Sequence, residues 1–132
     1  MGEQVSLLLD THAFLWAVMQ PDKLSSKVRK RLENPSTEII LSAASAWEIA
    51  TKHRLGKLPS AKALLADFDE VIRQLDARML AVNHVHALKA GGFRQSHRDP
   101  FDRMLAAQAQ VEGLTLVSKD TALLQFGIKL LW

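Results

Sequence analysis

Short apolar runs of four or five residues alternate along the chain with longer stretches in which apolar residues return every three or four positions. The first kind reads as buried strands and the second as amphipathic helices. Val5-Ser6-Leu7-Leu8-Leu9 stops abruptly at Asp10, as a strand covered on both faces does. Thr11 is placed to cap the helix that follows, which carries Phe14, Leu15 and Val18 on one side and ends at Pro21. After Ser25-Ser26 a second helix turns Val28 and Leu32 inward and Lys27, Arg29, Lys30 and Arg31 outward, until Asn34-Pro35 breaks it. Glu38-Ile39-Ile40-Leu41 is a second strand, and Ser42 caps a helix from Ala43 to Arg54 that Gly56 closes. Leu64, Leu65, Phe68, Val71, Ile72 and Leu75 predict one helix over residues 61–75, and Met79-Leu80-Ala81-Val82 a third strand. Asn83 or His84 opens a short helix ending at Gly91-Gly92. Asp99-Pro100 opens another, because an Asp side chain caps free N–H groups and a Pro at the first helical position needs none. Leu114-Thr115-Leu116-Val117 and Ile128-Lys129-Leu130-Leu131 complete a set of five strands.

Strands alternating with helices predict an α/β fold, a three-layer α/β/α sandwich around a mostly parallel five-stranded sheet. In such sheets a ligand sits beyond the carboxyl ends of the strands, where the strand order reverses. Asp10 and Asp120 each follow a predicted strand and fall at such ends.

Composition narrows the chemistry. The 132 residues, 48% of them hydrophobic, suffice for one domain spanning 1–132. The absence of cysteine excludes disulfides, thiolate zinc sites, iron–sulfur clusters and a thiol nucleophile. No apolar run approaches the ~18 residues of a membrane span, and no leader pattern opens the chain, so the expected location is the cytoplasm, with no membrane. A formal charge of +3 permits an anionic partner such as nucleic acid.

Each acid near a predicted element end has an ordinary explanation. Asp10 can cap beside Thr11, Glu48 can pair with Lys52 one turn on, Asp99 can cap, Asp102 can favour the helix dipole, and Asp120 can cap the turn that follows it. As a set they are harder to dismiss, because two lie at strand ends and two on early helical turns after loops on the same sheet edge. Carboxylates crowded into one pocket must take up protons or bind a hard divalent cation. Mg²⁺ or Mn²⁺ fits such a set, and the matching chemistry on a basic protein is phosphodiester hydrolysis. Arg98, Arg103 and Lys119 flank the acids and can hold RNA phosphates or pair with the carboxylates, and Arg94 follows Gly91-Gly92 on a loop placed to move over the site. Thr11 and Ser118, beside the acids, can orient waters or serve as plain cap hydroxyls. His12 and His97 lack the spacing of a metal pair and read as hydrogen-bonded residues or weak phosphate contacts; His53, His84 and His86 read as surface or capping residues. Trp16 and Trp47 fall on amphipathic helices and read as core or interface.

The segments Leu7-Leu8-Leu9-Asp10-Thr11-His12, Ser45-Ala46-Trp47-Glu48-Ile49, Asp99-Pro100-Phe101-Asp102-Arg103-Met104-Leu105-Ala106-Ala107-Gln108-Ala109 and Leu116-Val117-Ser118-Lys119-Asp120 resemble, in order, the motifs of PIN-domain ribonucleases, VapC-type toxins above all. The resemblance implies a PIN fold with sheet order 3-2-1-4-5, which sets the ends of strands one and four side by side. It implies that Asp10, Glu48 and Asp102 hold Mg²⁺ or Mn²⁺ and that Asp120 is a fourth acid of more variable role. Asp99, one turn before Asp102, is a candidate to reach the ion through water. The activity implied is cleavage of single-stranded RNA, and the partners implied are a cognate VapB-type antitoxin and a second copy of the chain. Two alternatives stand beside it. A phosphoryl-transfer domain of the receiver or phosphatase kind also places Asp after strand one, although a phosphatase wants Asp where His12 stands. A catalytically silent PIN-like interaction module would be favoured by loss of an acid, and all four positions are filled.

Overall fold

β1 (Val5–Leu9) lies in the middle of the sheet because its leucines leave no face for solvent. The computed structural model describes residues 5–132, so the first four residues of the 1–132 span lie outside the described part. Leu7 and Leu9 point into one apolar cluster and Leu8 into the other, the alternation a strand imposes, and all three are fully buried. β2 (Thr37–Ser42) repeats the arrangement with Ile39 and Leu41 on the first side and Ile40 on the second. The two strands run parallel in the register Leu7↔Ile39, Leu8↔Ile40 and Leu9↔Leu41. β3 (Ala77–Leu80) flanks β2, while β4 (Thr115–Val117) and β5 (Leu130–Leu131) complete the other side. Every pairing is parallel and the order is β3-β2-β1-β4-β5, the predicted one. A receiver-type sheet has strand order 2-1-3-4-5, so that alternative is set aside.

Helices cover both faces. Beneath the Leu7–Leu9 side lie α1 (Thr11–Met19), α2 (Ser26–Glu33), α3 (Ala43–Arg54), α4 (Lys62–Ala66) and α5 (Phe68–Gln74), which send in Phe14, Val28, Ile49, Leu64 and Ile72. The opposite face packs on α7 (Pro100–Glu112) through Leu105, Ala106 and Ala109, and α6 (His84–Gly92) lies against α7. None of the helices among the described residues is long and apolar enough to cross a membrane.

Several boundaries differ from the sequence reading. The helix expected over 61–75 is two helices broken at Asp67, where φ is −136° and ψ 38°. The apolar period runs across the break, so periodicity alone does not register it, while Asp is poorly suited to a helix interior. β3 starts at Ala77 rather than Met79, set by its register with Ile39 to Ser42 of β2 and by the left-handed Asp76 before it (φ 54°). β5 is shorter than expected; Ile128 is buried but lies before the paired residues. α6 ends at Gly92, as read for the short helix closed by Gly91-Gly92. The expected opening of α7 is present, with Pro100 as its first residue and Gly113 in the left-handed region (φ 67°) closing it.

Candidate metal centre

The order β3-β2-β1-β4-β5 brings the carboxyl ends of β1 and β4 together, and Asp10 and Ser118 follow them directly. Asp10 caps α1, its Oδ1 accepting from Ala13 N at 2.7 Å. Of the two caps read from the sequence, Asp10 is the one present and Thr11 is not. Thr11 begins the helix, and its buried hydroxyl instead donates to Oε1 of Glu48 at 2.6 Å and lies 3.0 Å from Ser45 Oγ. Two adjacent good caps compete at one helix start, and the one still in extended backbone takes the role. Glu48, on the second turn of α3, is buried, and Lys52 Nζ lies 2.5 Å from its Oε2. The i,i+4 pair read from the sequence is therefore present. Burial would lower the Lys52 ammonium, but Glu48, with the charges of Asp99 and Asp102 behind it, holds it above its usual value. Lys52 is thus the positive charge facing the acids.

Asp99 caps α7 through Oδ1, which accepts from the N–H groups of Phe101 at 2.9 Å and Asp102 at 3.1 Å. Asp102, on the first turn, is left free of that duty and meets His97, whose Nε2 lies 2.9 Å from its Oδ2. Asp120 is exposed and caps the 3-10 helix Thr121–Phe126 by accepting from Ala122 N at 3.0 Å. One ligand atom each from His97, Asp102 and Asp120 can lie within 4.8 Å of one another, the grouping among the described residues that could hold a metal ion. Asp10 and Glu48 stand outside that set and communicate with Asp102 through their charges. Burial pushes the Asp10 carboxyl above its ordinary value, opposed by the Ser118 hydroxyl and the Ala13 N–H and reinforced by the charge of Asp102. Asp102 is raised by burial first, then by Asp99 and Glu48, against the hydrogen bond from His97. Both carboxylates are therefore costly as anions until a cation joins them.

The flanking cations divide. Arg98 and Lys119 are exposed beside the acids. Arg103 is not available to a phosphate, which corrects its assignment to RNA: Nε donates to Ala90 O, Nη2 to Phe93 O, and Nη1 to Gln95 O and His97 O. Ser118 is buried, and its hydroxyl accepts from Asp120 N at 3.1 Å. His97 is hydrogen-bonded, as one of its two sequence readings had it, but nothing in its spacing marks it as the partner of Asp102. His86 is the capping residue expected, though fully buried: its Nδ1 accepts from Asn83 N while Asn83 Oδ1 accepts from His86 N. Trp47 is 64% exposed and meets Phe101 edge-on at 4.9 Å, at the rim of a hollow of about 460 Å³ lined by Ala43, Val82, Ala87 and Met104 among others.

The pattern of the PIN domain matches residues 7–129. The chain belongs to the PIN-domain family. Ribonuclease VapC16 of Mycobacterium tuberculosis is 38% identical to it over 61 residues, which are 46% of this chain and 43% of the mycobacterial protein. Among solved structures, VapBC2 from Rickettsia felis bound to a promoter DNA fragment superposes with a TM-score of 0.71 at 16% identity, covering 96% of this PIN domain and 98% of that chain. FitAcB from Neisseria gonorrhoeae gives a TM-score of 0.67 at 20% identity, covering 96% of each chain. At those identities the likeness is one of fold. It sets this PIN domain apart from the receiver and phosphatase alternatives.

Proposed function

We propose that this PIN domain is a divalent-metal-dependent endoribonuclease that cleaves single-stranded RNA, and that it is the toxin of a toxin–antitoxin pair. The observation that carries the reading is the convergence of carboxylates at the switch point, with Asp10 raised by burial and by the charge of Asp102, and Asp102 raised by burial and by the charges of Asp99 and Glu48. Mg²⁺ or Mn²⁺ suits a site in which two of the three grouped ligand atoms are carboxylate oxygens, from Asp102 and Asp120, with further acids beside them. Asp10, Glu48 and Asp102 are the acids assigned to the ion, Asp120 is assigned to it directly or through water, and the second oxygen of Asp99 stands close enough in sequence to act through water. A cation there supplies Lewis-acid neutralisation of the charge that builds on a phosphodiester during hydrolysis.

The chain's own residues supply the rest. Ser118 steadies Asp10, and Thr11 holds Glu48 in place by its short hydrogen bond. Arg98 and Lys119 are the exposed cations left to contact RNA phosphates, an electrostatic role consistent with the net charge of +3. A VapB-type antitoxin is the proposed partner, supported by the names of the related structures, VapBC2 and FitAcB, and by the exposed apolar surface around Trp47. A homodimer and a cytoplasmic location complete the proposal.

The test is incubation of single-stranded RNA with the purified protein in Mg²⁺ or Mn²⁺. Cleavage is expected, abolished by chelator and by Asp10→Ala or Asp102→Asn, with the circular dichroism of each variant unchanged. Cleavage that survives chelation or both substitutions overturns the reading; no cleavage under any condition returns the silent interaction module.

A further inference from the structure

We propose that His97 is a positioning residue for Asp102, and that Arg103 sets His97 in place. The inference rests on the metal-binding reading of Asp102 given above. Asp102 and Arg103 are consecutive on the first turns of α7, so their side chains leave the helix in different directions. Asp102 faces the acids. Arg103 faces the segment from the end of α6 to His97, where its guanidinium gathers four backbone carbonyls: Ala90 at 3.0 Å, Phe93 at 2.7 Å, Gln95 at 2.8 Å and His97 at 3.1 Å. The planar guanidinium presents its donors in a fixed fork, so satisfying four acceptors at once fixes the path of the chain around one side chain. The Phe93 ring lies 5.9 Å from the guanidinium carbon and packs on Phe126 at 4.7 Å, closing the clamp from below.

That path ends at His97. Its imidazole meets Phe126 edge-on, with centroids 5.7 Å apart and planes at 78°, which limits rotation of the ring. Nε2 then lies 2.9 Å from Oδ2 of Asp102. An N–H donated there spends Nε2 on the carboxylate rather than on the ion, so of the three grouped residues His97 orients while the other oxygen of Asp102 is left for the cation, the usual job of a group that orients a ligand without touching the metal. The loop thereby serves as a strut from one residue of α7 back to its neighbour. Nothing in the linear motif requires this of Arg103, because the carbonyls it binds come from a different segment.

Mn²⁺ titrated calorimetrically into the purified protein tests the proposal without reference to RNA cleavage. His97→Ala is expected to lower Mn²⁺ affinity by about 10–100-fold, the loss that removal of such an orienting group brings, with its melting temperature unchanged. His97→Gln keeps an N–H donor and is expected to recover most of the affinity. Arg103→Lys is expected to lower the affinity in wild type but to add nothing to His97→Ala, since both act through one contact. Wild-type affinity in His97→Ala, equal loss in His97→Gln, or additive losses in the double variant each overturn the proposal while leaving the metal site standing. Absence of Mn²⁺ binding by the wild type overturns the metal reading beneath it.

Discussion

Two histidine–carboxylate pairs with nearly the same geometry do different work. His86 Nε2 lies 2.8 Å from Glu112 Oε2, and His97 Nε2 lies 2.9 Å from Asp102 Oδ2. His86 is fully buried and both ring nitrogens are committed, one to the capping box of α6 and the other to the last residue of α7. The pair ties α6 to the end of α7. His97 is only partly buried, and its acid sits within the electrostatic reach of Asp99 and Glu48, with Asp120 close by. The pairs differ in what else surrounds the carboxylate. One ends in a satisfied network; the other ends among carboxylates whose charges oppose one another.

The sharpest way to break the comparison is to neutralise each acid. Asp102→Asn is expected to reduce RNA cleavage by more than the roughly 100-fold upper range for an orienting group, as measured by initial rates on a labelled single strand. Glu112→Gln is expected to leave cleavage unchanged. In the opposite sense, His86→Ala removes the partner of Asn83 N–H and opens a cavity beside Gln108. It is expected to cost about 2–4 kcal/mol in urea unfolding, with Mn²⁺ affinity retained.

A smaller effect separates the crowded acids from the satisfied ones by pH. Folding raises the pKa of Asp10 and Asp102, so the native state binds their protons more tightly than the unfolded chain does. Their contribution to stability is present at low pH and is lost as pH rises from the ordinary carboxylate value through the raised one. In chelator, Asp10→Asn, which keeps a competent cap, is therefore expected to melt a few degrees above wild type at neutral pH, about 1 kcal/mol in thermal terms, and to flatten that pH dependence. Glu38 has the reverse sign. Arg78 and Ser6 hold its carboxyl below the usual range, so its contribution is lost as pH falls. That pair is exposed, and Glu38→Gln is expected to cost well under about 1 kcal/mol.

The strands were legible because burial on both faces writes itself as continuous apolar runs, as in Leu7-Leu8-Leu9 and Ile39-Ile40-Leu41. The start of α7 was legible because Asp-Pro is chemically specific at a helix opening, and the division of Asp99 to the cap from Asp102 toward the acids agrees with the hydrogen bonds observed. The break at Asp67 was hidden by apolar spacing that continues through it. Thr11 looked like a cap because its true partner, Glu48, is 37 residues away. Arg103 looked like a phosphate contact because charge is visible in a sequence and the four carbonyls that occupy it are not. His97 escaped for the same reason: its importance depends on a loop path that another residue sets.

The claim on which the rest depends is that the acids at the ends of β1 and β4 are short of a cation. Thermal unfolding of the wild type and of Asp10→Asn, each with chelator and with excess Mn²⁺, measures that shortage directly. At a concentration near 100 times Kd, Mn²⁺ is expected to stabilise the wild type by about 2.7 kcal/mol, while Asp10→Asn starts higher in chelator and gains little from the metal. A wild-type melting temperature indifferent to Mn²⁺, or an equal rise in both proteins, would contradict the account.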